Sequence, residues 1–323
     1  MKGRLNKMKK IVFGFLLSFL PINLLADVCV NPSEYTVDRR CYVDDATWST
    51  KPYKHVLKMK YIDDDLVFCT ANMVSGKILT ARHCISDAKI GELEFIAFDG
   101  SRIRVQQSFS GASEFVTSDQ DWIVFMPISA WQDFVSSNSI RNISDDFVGA
   151  GKNSEGIIAG FGGLKILSDQ EILNFQKAYK EYIELFGSYF DSDDTEIDEN
   201  SVNLTDTIKD DKKKYLFYDT ISPYLLKYDL PEVKELFFDT EQLKVGFCKD
   251  IQLMDGYDIL GVTKCQAWGG NSGGGLYVDK NEKGLWYLMG LLLGGKSVIS
   301  SDPDKHTGKR SIIGPAKNFK NNI

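Results

Sequence analysis

Ser272 stands in the run GGNSGGG, Gly269 to Gly275, and His83 closes the run ILTARHC, Ile78 to Cys84. Glycines on both sides let a tight turn expose one side chain and aim backbone amides at a single point. A histidine at the end of an apolar, strand-like run is a candidate base. A hydroxyl that attacks a carbonyl needs such a base, a carboxylate to orient it, and paired backbone N–H groups for the oxyanion that forms. Taken singly, the serine is explained by a turn and the histidine by a strand end. Taken together they point to acyl transfer.

The elements that would position these residues are short. From Tyr61 to Ala159 the chain alternates Val-, Ile-, Phe- and Leu-rich runs with Gly, Asp, Ser and Asn: Leu66 to Cys69, Lys77 to Thr80, Leu93 to Phe98, Ile103 to Gln107, Trp122 to Phe125 and Gly156 to Ala159. This is the pattern of a β-barrel or sandwich. It resumes at Ile259 to Val262, Gly275 to Val278 and Trp286 to Leu293. Between the two β-rich parts, over about residues 165–246, Ile172, Phe175, Tyr179, Ile183 and Phe186 recur at helical spacing. That periodicity predicts a helical insertion in a β fold. The insertion carries 19 acidic residues against 10 lysines over Leu164 to Gly246, and its stretch Asp191 to Asp211, poor in apolar residues, reads as a loop between helices. Its charge is that of a solvated face, or of an element that shields or selects access to a site.

Residues 1–26 have the parts of a secretion signal: lysines and an arginine at the start, the apolar run Ile11 to Leu20, and Ala26 as a small residue before Asp27. Pro21 and Asn23 cut the run short of the roughly 20 residues a spanning helix needs, so no stable membrane span is expected after cleavage. Residues 27–323 are then the mature protein, secreted or periplasmic. With 33 basic against 45 acidic residues, that part has a net charge of −12, which argues against nucleic acid as a partner. Six cysteines, all after the leader, fit disulfides in an exported chain. No CxxC pair exists and His55, His83 and His306 are scattered, so neither zinc nor any other cofactor is expected.

The segment FCTANMVSGKILTARHC, Phe68 to Cys84, resembles the histidine segment of the chymotrypsin/trypsin family of serine proteases, and GNSGGG, Gly270 to Gly275, resembles that family's serine loop. The order of histidine, aspartate and serine is similar too, and it differs from that of α/β-hydrolase esterases, in which the serine comes first. The resemblance implies an all-β, chymotrypsin-like double six-stranded β-barrel interrupted by the acidic helices. It implies a triad of His83, Asp121 and Ser272 acting on a protein or peptide substrate. Asp121, in SDQDWIVFMP, is favoured over Asp119 because it directly precedes an apolar strand and would be buried. IIAGFGG, Ile157 to Gly163, resembles the turn that opens the family's second barrel, and GLWYLMGLLLGG, Gly284 to Gly295, resembles its groove-lining strand. On this alignment the amides of Gly270 and Ser272 form the oxyanion hole. Gln266 floors the primary pocket, without the acid that would hold arginine or lysine, and Leu293, Gly294 and Gly295 offer backbone to an extended substrate. Disulfides are expected as Cys69–Cys84, Cys248–Cys265 and Cys29–Cys41. The resemblance covers most of residues 60–164 and 247–299. Asn271 departs from it, standing where activatable members carry an aspartate that pairs with a new N-terminal amine. The rival reading is a catalytically silent protease-fold binding protein that uses the groove or the acidic insertion.

Overall fold

The computed structural model describes residues 40–63, 67–85, 91–110, 120–144, 156–186, 201–203, 211–248, 251–253, 260–262, 271–279, 284–294, 298–300, 311–316 and 319–323. The leader 1–26 lies outside them.

The first sheet is built from consecutive chain: β2 (Val56–Tyr61), β3 (Cys69–Val74), β4 (Lys77–Thr80), β5 (Leu93–Ile96), β6 (Arg102–Ile103), β7 (Val105–Ser110) and β8 (Ile123–Pro127). Its strand order is β6-β5-β2-β3-β4-β8-β7, and each pairing is antiparallel. The β3–β4 hairpin turns at Ser75 and Gly76, both with positive φ, a geometry that asks for glycine or a tolerant polar residue. Helix α2 (Ser129–Asn138) follows β8 and buries Val135.

The second sheet has eight strands. β1 (Arg40–Val43), although earliest in the described chain, joins it by pairing with β11 (Leu243–Cys248). The remaining members are β9 (Gly156–Gly160), β12 (Ile251–Leu253), β13 (Leu260–Val262), β14 (Gly275–Asp279), β15 (Trp286–Gly294) and β17 (Ser311–Pro315), in the order β1-β11-β9-β14-β15-β17-β13-β12. One apolar core runs through both sheets, from Met59, Phe95 and Phe125 to Phe161, Val245, Tyr277 and Leu291, all close to fully buried. Each such side chain contributes about 1.5–3 kcal/mol by leaving water. The chain is mostly β with helices in the second half, as expected, but in place of two six-stranded barrels its described residues form sheets of seven and eight strands, the eight-stranded sheet enlarged by β1 from the start of the described chain.

Among the described residues, the helices of the insertion are α3 (Asp169–Phe186), α4 (Asp211–Lys227) and α5 (Val233–Phe237). α3 starts on a reciprocal cap: Glu171 N–H donates to Ser168 Oγ at 3.2 Å, and Ser168 N–H donates to Glu171 Oε2 at 2.7 Å. The predicted stripe is real, with Ile172, Phe175 and Tyr179 buried and Ile183 and Phe186 packed at the margin. These residues form an aromatic cluster with Phe217 and Phe237 that is separate from the core of the sheets. Within the stretch read as a loop, three residues form β10 (Ser201–Asn203), which pairs antiparallel with β16 (Val298–Ser300). Backbone pairing with a distant strand is a signal that composition does not carry.

Candidate active site

β4 delivers His83. The strand ends at Thr80, and a single 3₁₀ turn, Arg82–Cys84, follows. Cys84 is bonded to Cys69 at the start of β3, with Cα atoms 6.1 Å apart, so the turn is tied to the neighbouring strand. β8 delivers Asp121: because Thr80 pairs with Ile123, the residues just after β4 and just before β8 emerge side by side. Asp121 then grips His83 twice. Its Oδ1 accepts from the His83 backbone N–H at 2.9 Å, and its Oδ2 lies 2.7 Å from the ring Nδ1.

The Asp121 side chain is fully buried, whereas that of His83 keeps 18% of its surface exposed. An ionised carboxylate can only accept, so Nδ1 carries the proton and Nε2 is left as an acceptor. This is the tautomer a general base requires.

The Ser272 turn is held from both sheets. The Ser272 carbonyl accepts from Thr70 N–H of β3 at 2.9 Å, and the next amide, Gly273 N–H, donates to Leu292 O of β15 at 2.7 Å. One peptide plane is thus pinned at both ends. Gly273 has φ of +79°, and a Cβ there would fall 2.1 Å from Thr80 Oγ1 and 2.3 Å from the Thr70 carbonyl. Only glycine fits. Ser272 itself is partly exposed, and the Cys84 sulfur lies 3.8 Å from its carbonyl and 3.9 Å from His83 Nε2. The disulfide therefore touches both the imidazole and the serine turn. Asn271 is 2% exposed and its Oδ1 has no hydrogen-bond partner among the described residues. That oxygen packs against Gly162, where a Cβ would come within 2.6 Å of it.

Cys69, His83 and Cys84 gather three potential metal-ligand atoms, but the two sulfurs are joined in a disulfide and offer no thiolate. Leu293 is buried and Gly294 half-buried at the end of β15. Gly270, Gln266 and Gly295 lie outside the described residues, as do Cys29 and Cys265. Cys41 and Cys248 are both disulfide-bonded, and each expected pairing, Cys29–Cys41 and Cys248–Cys265, has one member outside the described residues.

Sequence reasoning missed Thr70 and Thr80 as supports of the serine turn. Thr70 Oγ1 accepts from Phe161 N–H at 2.9 Å, and Thr80 Oγ1 donates to the Thr70 carbonyl at 2.6 Å. The available signal was polarity out of place: β3 is buried at all six positions yet reads CTANMV, with Thr70 and Asn72 on one face.

No family model and no curated protein matches the chain. Among solved structures it is similar to the secreted serine protease VesC from Vibrio cholerae, with a TM-score of 0.44 and 13% sequence identity over 87% of this chain and 46% of that one. The chain thus spans less than half the length of that protease.

Proposed function

We propose that the protein is an exported serine endopeptidase with His83, Asp121 and Ser272 as its catalytic triad. The observation that carries the reading is the double grip of the buried Asp121 on His83, through backbone and ring at 2.9 and 2.7 Å. A carboxylate buried solely for structure needs no particular imidazole tautomer, and this one selects the tautomer with a basic Nε2. Support also comes from the glycine-bound turn at Ser272, pinned between the two sheets beside that histidine, and from the resemblance of the surrounding motifs to the chymotrypsin/trypsin family.

In this reading Ser272 Oγ attacks the scissile carbonyl while His83 Nε2 takes its proton. Asp121 stabilises the imidazolium, and the amides of Gly270 and Ser272 receive the oxyanion. His83 returns the proton to the leaving amine, an acyl-enzyme remains, and water attacks it by the same route in reverse. Backbone at Leu293, Gly294 and Gly295 holds the substrate in an extended form, and Gln266 at the pocket floor disfavours cleavage after arginine or lysine. Export is supported by the leader 1–26 and by the Cys69–Cys84 disulfide, a bond that persists in oxidising compartments. The test is covalent labelling by a fluorophosphonate probe, expected at Ser272 and lost in Ser272→Ala.

A further inference from the structure

Two side chains remote from the triad converge on the serine turn, and neither is accounted for by the chemistry above. Asn72, in the middle of β3, and Tyr277, in β14, are both completely buried. Asn72 Nδ2–H donates to the Gly273 carbonyl at 2.6 Å, and its second hydrogen points toward the Leu79 carbonyl at 3.5 Å. The Tyr277 hydroxyl donates to Asn72 Oδ1 at 2.7 Å.

The orientation of this amide is determined by its partners. Two carbonyls can only accept, so the nitrogen must face them, and the oxygen must face the phenol. Burial raises the phenol pKa, which keeps Tyr277 protonated and a donor. With the Ser272 carbonyl held by Thr70 N–H and Gly273 N–H held by the Leu292 carbonyl, Asn72 supplies the anchor for the following peptide, at the Gly273 carbonyl.

We infer that Asn72 and Tyr277 are positioning residues: a buried phenol–amide relay from the second sheet through the first, which sets the Gly273–Gly274 peptide of the serine turn and thereby the direction of the Ser272 hydroxyl. The inference rests on the reading of Ser272 as the nucleophile. A bulky polar pair in the middle of a two-sheet core carries a desolvation cost, and it is retained where each donor and acceptor is satisfied. Here the satisfaction is complete and is spent on one turn. Loss of either partner leaves the strands paired and the Gly274 N–H on the Asn271 carbonyl, but frees the Gly273 carbonyl end of the peptide to tilt, and a misplacement of about 1 Å at a nucleophile lowers its rate by up to about 100-fold.

The test compares wild type, Asn72→Ala, Tyr277→Phe and the double variant by the rate of fluorophosphonate labelling at Ser272 and by kcat and KM on a small activated ester, with thermal unfolding measured alongside. Tyr277→Phe keeps the ring and deletes one oxygen, so it carries the test even if Asn72→Ala fails to fold. The expected result is a loss of about 10- to 100-fold in labelling rate and kcat with KM unchanged, and a double variant no worse than Asn72→Ala alone. A Tyr277→Phe protein that melts earlier yet labels and turns over at the wild-type rate would overturn the relay and leave the nucleophile standing. A wild type that resists labelling at Ser272 would overturn the nucleophile first and the relay with it.

Discussion

Asp121 spends both of its oxygens on one residue, and the two bonds do different work. The bond to the His83 backbone N–H locates the carboxylate against the 3₁₀ turn, and the bond to Nδ1 then fixes the ring. In Asp121→Asn the amide offers one acceptor and one donor where two acceptors stood, so it cannot accept from both His83 groups. If its nitrogen faces the ring, Nδ1 must become the acceptor and the proton moves to Nε2, which can no longer act as a base. We therefore expect Asp121→Asn to fold and to lose about 10⁴-fold in kcat on an ester or peptide substrate, with Asp119→Asn near wild type. The reverse result would move the carboxylate role to Asp119. At this scale the sequence was informative, because a reacting constellation is made of residue types and their order. The supports, Thr70, Asn72, Thr80 and Tyr277, were readable only as polar groups in apolar strands, not as parts of the serine turn. Their roles depend on which strand faces the turn, and nothing in the one-dimensional pattern of β3 or β14 says so.

Among the elements, β4 occupies the residues expected, Lys77–Thr80, and β9, β14 and β15 agree with expectation to within a residue at either end. Strand β2 was missed: VLKMKY places lysines among the apolar residues and lies upstream of the β-rich text. The structure shows why it is still a strand, since Lys60 sits opposite Glu94 in the register, and Glu94 also binds Arg102 at 3.1 Å and Arg104 at 3.2 Å. Lys60 and Glu94 are both buried, and their charges are paired inside the sheet. β3 runs from Cys69 to Val74, so of the expected run Leu66 to Cys69, Cys69 opens the strand, Val67 and Phe68 precede it, and Leu66 lies outside the described residues.

The turn Tyr53–His55, which feeds β2, makes a prediction at this scale. His55 is 2% exposed and its Nδ1 lies 2.5 Å from the carbonyl of Asn138 at the end of α2. Burial above all, with Lys54 and Lys51 adding repulsion against the bond to Asn138, lowers its pKa from 6.5 to about 4. The unfolded chain therefore binds a proton that the folded protein refuses. The contribution of a neutral His55 is fully present above pH 6.5 and is lost as pH falls toward about 4, a change of about 3 kcal/mol. Urea unfolding followed across that range should show this slope in wild type and a flatter profile in His55→Gln. Parallel profiles would remove His55 as its source.

On the scale of the whole molecule, the helices between β9 and β11 gather a hydrophobic core of their own, separate from that of the sheets. The two ends of this insertion arrive on adjacent strands, since β9 and β11 pair directly with Gly160 opposite Lys244, so the sheet itself closes the long connection. Three side chains clamp its entry and exit. Arg40 donates to the carbonyls of Leu164 and Lys165 at 3.1 and 3.0 Å, and the Tyr42 hydroxyl donates to Asp239 Oδ2 at 2.6 Å. Lys244, 1% exposed, binds the Gly162 carbonyl at 2.9 Å and both the backbone and the carboxylate of Asp239. Removing one member of a buried pair leaves the other uncompensated. Lys244→Met should therefore cost about 3 kcal/mol in chemical unfolding, and a loss below about 1 kcal/mol would show that the clamp is dispensable. The helical character of the insertion was readable from its stripe of aromatic and aliphatic residues. Its attachment was not, because Arg40 and Tyr42 reach it from β1, 124 or more residues away in the chain.

Both sheets meet at Ser272, which makes its reactivity the most direct probe of the account as a whole. The measurement is mass spectrometry of the purified mature protein after reaction with a fluorophosphonate, alongside Ser272→Ala. One adduct is expected, on the peptide that contains Ser272, and none in the variant. A folded wild-type protein that stays unmodified, or that carries the same adduct in Ser272→Ala, would contradict the assignment of Ser272 as an activated nucleophile.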